Sequence, residues 1–181
     1  LDAAFKKTVS DIEKIKEVAS KSLKEEELAI FDAHLMMAND PEFRGMIEAE
    51  ITNNNVNAEY AADSVSSMMV SMFESMDDEY MRGRAADIRD VTFRLMCNLT
   101  GKEIPNLSTL DEPVIVVAKD LTPSDTGSLN KEFAKGFATE MGGRTSHSAI
   151  MARSLEIPAV VGCKGILEGV DNGDMIILDA I

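Results

Sequence analysis

The spacing of apolar residues changes near Ile104, and this change predicts a chain of two structural parts. Up to about residue 100, apolar side chains recur every three or four positions, as in Phe5, Val9 and Ile12. That period is typical of amphipathic helices. Beyond Ile104, short β-branched runs alternate with helix-like segments, which is typical of an α/β layer.

The first part is predicted to be a helical bundle of paired antiparallel helices, which we expect at residues 1–20, 25–37, 41–51, 58–75 and 77–98. Asp40 before Pro41 indicates a capped helix start. The run 53–55 consists of asparagines and predicts a loop. Gly101 suits the residue that ends the last helix. The helical part is therefore assigned to residues 1–105 and the α/β part to residues 106–181.

In the α/β part, strands are expected at 113–118, 136–139 and 159–161. Thr122 precedes Pro123 and lies three residues before Asp125, which predicts a helix start with a helix that runs to about Lys135. The closing segment 170–178 contains an Asn-Gly pair, a strong signal for a tight turn.

The net charge limits the classes of binding partner, and the cysteines indicate the cellular compartment. The 181-residue chain carries a formal net charge of −14, which argues against nucleic acid or an anionic membrane as the main partner and favours a partner with a basic face. Cys97 and Cys163 match no metal-binding spacing and are expected to be reduced thiols, which fits a cytoplasmic protein. The two histidines, His34 and His147, also lack metal-ligand spacing, so no metal or cofactor is expected in this chain.

The segment 142–153, GGRTSHSAIMAR, combines glycines, an arginine, three hydroxyl groups before the apolar run, and a histidine. This pattern predicts a tight turn that opens a helix with His147 in its first turn. A helix N-terminus has unpaired N–H groups and partial positive charge, and it is a natural site for phosphate. An unperturbed imidazole, with a pKa of about 6.5, is largely neutral and nucleophilic at neutral pH. His147 can therefore bind phosphate as a cation, carry a phosphoryl group covalently, or simply occupy a helix cap.

The run from Gly142 to Gly162, GGRTSHSAIMARSLEIPAVVG, resembles the phosphohistidine signature of the enzyme I family of the bacterial phosphoenolpyruvate:sugar phosphotransferase system. The resemblance covers nearly the whole chain, through FDAH at 31–34, DDEY at 77–80, RAADIRD at 84–90 and DLTPSDT at 120–126. It implies a helical subdomain beside a small α/β swivelling domain that carries the phosphohistidine.

In that family the motif histidine takes a phosphoryl group from phosphoenolpyruvate and passes it to a histidine of the small carrier HPr. The matching residue is His147, with the phosphoryl group expected on Nε2. By its place in the motif, Thr126 is the threonine whose hydroxyl bonds this histidine. The residues expected to offset charge on the phosphoryl oxygens are Gly143, Arg144, Thr145 and Ser146. For Thr145 and Ser146, a role in capping the helix alone is an equal alternative. Arg153 is six residues beyond His147, where phosphate contact and an ordinary surface charge are equally plausible.

The resemblance also implies an HPr-docking surface on the helices. Its matching positions combine an apolar centre with acidic residues, as a transient interface to a basic carrier should: Glu25, Ala29, His34, Met37, Asp40, Glu42 and Arg84. For each position, an ordinary solvated helix face is the alternative.

In the family, a strand-bearing segment precedes the helices, and a C-terminal barrel that binds phosphoenolpyruvate and Mg²⁺ and forms the homodimer follows the α/β part. Neither matches a part of this chain, so we expect a monomeric piece that exchanges phosphate with HPr without using phosphoenolpyruvate itself. Three alternatives stay open: a swivelling domain of a pyruvate phosphate dikinase or phosphoenolpyruvate synthase, a nitrogen-regulatory enzyme I paralogue, and a non-catalytic phosphate-binding module.

Overall fold

The structure is a computed structural model that describes residues 1–21, 23–104 and 106–180. The chain forms two compact units, one of Leu1–Glu17 with Glu25–Pro105 and the other of Val18–Lys24 with Asn106–Ile181. Residues 18–24 thus group with the second unit, whereas the sequence-based division places them in the helical part. Pro105, the predicted last residue of that part, lies outside the described residues.

The first unit contains all but the last two residues of α1 and the whole of α2 to α5. The helices are α1, Asp2–Ala19; α2, Glu25–Ala38; α3, Pro41–Asn54; α4, Ala58–Glu74; and α5, Glu79–Thr100. Helices α4 and α5 pack along each other, and α3 packs on α4 while α2 packs on α5. Short connections such as residues 75–78 force consecutive helices to run antiparallel. The predicted helical bundle is confirmed.

The helix ends follow local side-chain chemistry. Asp40 Oδ1 accepts a hydrogen bond from the Glu42 N–H at 2.8 Å, which confirms the predicted cap of α3. Gly101 ends α5 with φ 69°, as predicted. The predicted loop at 53–55 is wrong for Asn53 and Asn54, because α3 continues to Asn54 and only Asn55 leaves it, in the left-handed region at φ 52°.

The core of the first unit is apolar and close-packed. Phe5 of α1 meets Phe43 of α3 edge to face, with ring centroids 6.1 Å apart. Ile47 and Leu95 are fully buried in the same cluster. The apolar residues that recur with the helical period in the sequence are therefore the residues that form this core.

The second unit has a parallel sheet with a strand order of β1-β2-β3. In chain order, its elements are a 3₁₀ turn, Leu107–Thr109; β1, Val114–Ala118; α6, Pro123–Gly127; β2, Ala134–Thr139; α7, His147–Leu155; β3, Ala159–Val161; and α8, Ile166–Gly169. Phe137 on β2 is fully buried with Leu121 and Ala152 in the core of this unit. The three predicted strands are confirmed.

One prediction for this unit needs correction. The predicted helix from Thr122 to Lys135 is wrong in length: α6 ends at Gly127, because β2 begins at Ala134, where it pairs with Val114 of β1. In the closing segment 170–178 the predicted turn forms, at Asn172–Gly173. Among the described helices, none is long and apolar enough to cross a membrane.

Candidate functional site

The site lies at the carboxyl edge of the parallel sheet. Strands β1, β2 and β3 are each followed there by a loop and a helix: α6, α7 and α8 respectively. Parallel strands all end at the same edge, so these loops collect at one place, where open α/β sheets commonly bind ligands. Through this topology Thr126 on α6 comes close to His147 on α7, although 21 residues separate them.

Thr126 is held by a short, tightly capped helix. The Thr122 Oγ1 accepts from the Asp125 N–H at 3.2 Å, while the Asp125 carboxylate accepts from the Thr122 N–H at 2.9 Å. This is the capping box that the sequence predicts. Thr126 is only 2% exposed, and its position on α6 is therefore fixed by both the cap and its burial.

His147 is the first residue of α7 and is partly buried. Ser146 caps this helix, since its Oγ accepts from the Ala149 N–H at 3.3 Å. Ser146 Oγ also lies 3.1 Å from the Oγ of Ser148, which is buried. The predicted turn that opens a helix at His147 is thus confirmed.

Two glycines, one before His147 and one after β3, allow close approach of the backbone at this edge of the sheet. Gly142 has φ 100°, and a Cβ on it would lie 3.0 Å from Ser146 Oγ. Gly162, after β3, has φ 80°, and a Cβ there would lie 3.3 Å from the Gly142 carbonyl oxygen. Both positions combine left-handed backbone with close approach, which glycine alone meets without strain.

The Thr126 hydroxyl contacts the imidazole of His147. Its Oγ1 lies 3.3 Å from His147 Nε2 and 3.1 Å from the carbonyl oxygens of Thr122 and Pro123. The hydroxyl has one proton: it either donates to Nε2, or donates to a carbonyl and accepts from Nε2–H. In both cases the contact fixes the ring orientation and links the tautomer of His147 to the hydroxyl.

The remaining predicted phosphate residues lie in the loop before α7. Gly143, Arg144 and Thr145 are exposed, and Ser146 is partly exposed. Arg153 Nη2 donates to the carbonyl oxygen of Arg144 at 3.0 Å. Sequence reasoning gave Arg153 a phosphate contact or a free surface position, and it missed this backbone contact.

The predicted docking residues of the first unit lie on α2, at the start of α3 and on α5. Glu25, Ala29 and Glu42 are exposed. Asp40 is partly exposed and serves as the α3 cap. Met37 is partly buried against the helical core, and the adjacent Met36, which sequence reasoning did not single out, is 76% exposed.

His34 does not lie on a free surface, so its predicted place among exposed docking residues is wrong. It is 1% exposed, with Nε2 3.3 Å from Asp87 Oδ1 and Nδ1 3.9 Å from Asp90 Oδ2. Its ring also packs edge to face against Phe31. Asp87 in turn contacts Arg84 Nη1 at 3.5 Å. The signal for this network was present in the sequence as the spacing of three between Arg84, Asp87 and Asp90 on one helix face.

Comparisons with known proteins agree with this architecture. Residues 1–84 match the family model described as PEP-utilising enzyme, N-terminal, and residues 110–181 match PEP-utilising enzyme, mobile domain. The class defined by fold and site is therefore that of the PEP-utilising enzymes.

Individual relatives identify the family within this class. The chain is 54% identical over 181 residues to a phosphoenolpyruvate-protein phosphotransferase of Priestia megaterium, covering 100% of this chain and 32% of that protein. A solution structure of enzyme I is 50% identical, with a TM-score of 0.84, over 98% of this chain and 72% of that one. The N-terminal domain of a nitrogen enzyme I is 26% identical, with a TM-score of 0.63, over 88% and 64%. The chain belongs to the enzyme I family, and it spans about a third of the length of the curated relatives that it matches.

Proposed function

We propose that this chain carries a phosphoryl group on His147 and exchanges it with the small phosphocarrier protein HPr. The observation that carries the proposal is the position of His147 at the first residue of α7, with Nε2 3.3 Å from the Thr126 hydroxyl. This arrangement supplies a nucleophile, a group that orients it, and a helix N-terminus that favours an anion.

Transfer from phospho-HPr forms a bond between a His147 ring nitrogen and phosphorus while the bond between phosphorus and the HPr histidine breaks. The electron pair of the broken bond returns to the HPr imidazole. Such transfer depends on in-line positioning and on offsetting charge at the phosphoryl oxygens. We assign the second task to the loop from Gly143 to Ser146, through the N–H groups of Gly143, Arg144 and Thr145 and the Arg144 guanidinium, since the Ser146 N–H already donates to the Gly143 carbonyl.

The contact with Thr126 has a consequence for transfer to Nε2. In the observed ring orientation the hydroxyl occupies the direction of the Nε2 lone pair or its proton. Attack through Nε2 therefore requires the ring to turn away from Thr126. The role of Thr126 in this proposal is to hold the unmodified ring in one state between transfers.

HPr docking is assigned to the first unit. Glu25 and Glu42 give an acidic rim, and Met37 with the exposed Met36 gives an apolar centre. Ala29, Asp40 and Arg84 complete the surface, and His34 supports it from beneath through Asp87. A basic carrier suits this surface and the net charge of −14.

The other steps of the family's reaction are assigned to parts of the longer protein outside this chain. We propose that phosphoenolpyruvate, Mg²⁺ and the dimer contact belong to a C-terminal domain like that of the family. Within the residues described, no three His, Cys, Asp or Glu side chains group as a metal site, so we derive no step through the metal. In this scheme residues 1–105 form the HPr-binding subdomain and residues 106–181 the phosphohistidine domain.

The test is the intact mass of the protein after incubation with purified phospho-HPr, with His147→Ala as the matched control. We expect a gain of one acid-labile phosphoryl group in the wild-type protein and none in the variant. Phosphate binding without a covalent product, in a sample with a cooperative thermal melt, would refute the proposal and favour a non-catalytic phosphate-binding module. Phosphorylation of the His147→Ala variant would also refute it.

A further inference from the structure

The loop that presents His147, residues 140–146, has a firmly held base. The Glu140 N–H donates to the Ala118 carbonyl at 3.1 Å, and the Met141 N–H donates to that of Lys119 at 2.9 Å. On the other side, the Cys163 N–H donates to the Thr139 carbonyl at 2.9 Å. The segments after β1 and β3 thus clamp the start of the loop.

The tip of this loop, residues 142–145, is exposed, and its support comes from a different direction. The Ser146 N–H donates to the Gly143 carbonyl at 2.9 Å, which closes the turn upon itself. The guanidinium of Arg153 reaches the tip from α7 and donates to the Arg144 carbonyl at 3.0 Å.

The position of Arg153 on α7 lets its side chain reach the loop tip from a fixed backbone. It lies six residues beyond His147, about 9 Å along the axis. Helical side chains lean towards the N-terminus, which lets the guanidinium reach back past the start of α7. Its neighbours Met151, Ala152 and Leu155 are buried, so the core of the second unit fixes the backbone from which Arg153 extends.

We infer that Arg153 is a positioning residue that ties the loop tip to α7 and thereby holds the phosphate-facing N–H groups in register with His147. This inference rests on the proposed function of His147. It assigns Arg153 a backbone contact rather than a contact with the phosphoryl group.

The test compares Arg153→Ala with Arg144→Ala in the full protein, by amide hydrogen exchange and by transfer from phospho-HPr. Loss of one hydrogen bond should speed exchange of the Ser146 amide about three- to tenfold in Arg153→Ala. The Met141 amide, at the clamped base, should be unchanged. Arg144→Ala keeps the carbonyl that Arg153 binds, so its Ser146 amide should exchange as in the wild-type protein.

In kinetics, Arg153→Ala should lower the transfer rate constant at saturating phospho-HPr by about three- to tenfold and leave KM for phospho-HPr unchanged. Arg153→Lys retains a donor of similar reach and should recover part of both effects. Lys131→Ala removes an exposed charge from a turn of the same unit and should change neither.

An unchanged Ser146 amide in Arg153→Ala would overturn the inference, even if transfer slowed, because the guanidinium would then act elsewhere. Equal acceleration at Met141 would also overturn it, since Arg153 would then only stabilise the whole unit. If the wild-type protein accepts no phosphoryl group, the proposed function fails and the kinetic role of Arg153 fails with it. The amide measurement still decides separately whether Arg153 holds the loop.

Discussion

Replacing Thr126 with valine tests the central contact of the site. Valine keeps the size and branching of threonine but removes the hydroxyl that lies 3.3 Å from His147 Nε2. Thr126 is 2% exposed, so solvent does not simply take the place of its hydroxyl. The Thr122 carbonyl still accepts from the backbone N–H of residue 126 at 3.1 Å and keeps one partner. The main loss is therefore the bond to the imidazole.

The magnitude follows from that single lost interaction. A net hydrogen bond contributes about 1 kcal/mol, and the partly buried imidazole can still bind water, so the full cost of an unpaired buried group does not apply. We expect the free energy of unfolding to fall by about 1 kcal/mol. Because attack through Nε2 requires this bond to break, its loss should raise the rate of phosphoryl uptake from phospho-HPr about fivefold.

Two measurements check this expectation. Quench-flow kinetics give the rate of phosphoryl uptake, and ¹⁵N chemical shifts of the His147 ring report its tautomer. Thr126→Ser is the matched control, because it keeps the hydroxyl and loses only a methyl group. A wild-type rate and an unchanged tautomer in Thr126→Val would refute the reasoning. Equal changes of the rate in the serine and valine variants would attribute the effect to packing.

Three further predictions concern the loop, the buried histidine and the docking surface. Gly142→Ala places a Cβ 3.0 Å from Ser146 Oγ at a φ of 100°. It should lower the free energy of unfolding, measured by urea titration, by about 1–3 kcal/mol and should slow transfer. Unchanged values of both would contradict the assigned strain. His34→Leu removes one of two partners of the largely buried Asp87 carboxylate, with Arg84 remaining, and should lower the free energy of unfolding by about 1–3 kcal/mol. His34→Gln can still donate and should lose less. Charge reversal by Glu25→Lys and Glu42→Lys should weaken HPr binding, measured by titration calorimetry, with a smaller effect at high salt; unaltered affinity would remove these residues from the surface.

The helical part could be predicted closely because its signals are local. The apolar period, the Asp40 cap and the Gly101 terminator each act within a few residues, and α1 to α5 follow them. The length of α6 could not be predicted in this way. It is limited by the pairing of Ala134 with Val114, a contact between segments that the local pattern does not register.

For the candidate site, too, local features could be predicted from the sequence, whereas contacts between distant segments could not. The turn at Gly142 and the helix start at His147 follow from residue type. The contact between Thr126 and His147 depends on parallel strands bringing two loops to one edge, and the sequence suggested it only through family resemblance. The burial of His34 and the reach of Arg153 depend on which helix faces meet and where side chains end, which spacing alone leaves open.

Because the two histidines differ in exposure, chemical modification of each side chain reports on a different property of the chain. His34 is 1% exposed, whereas His147 is only partly buried. A reagent that acylates imidazoles should therefore modify His147 first and leave His34 untouched while the helical unit stays folded. Phosphorylation would occupy the same ring and block the reagent. The extent of labelling then gives the fraction of unphosphorylated His147 without isotopes, and delayed labelling of His34 gives the unfolding of the helices.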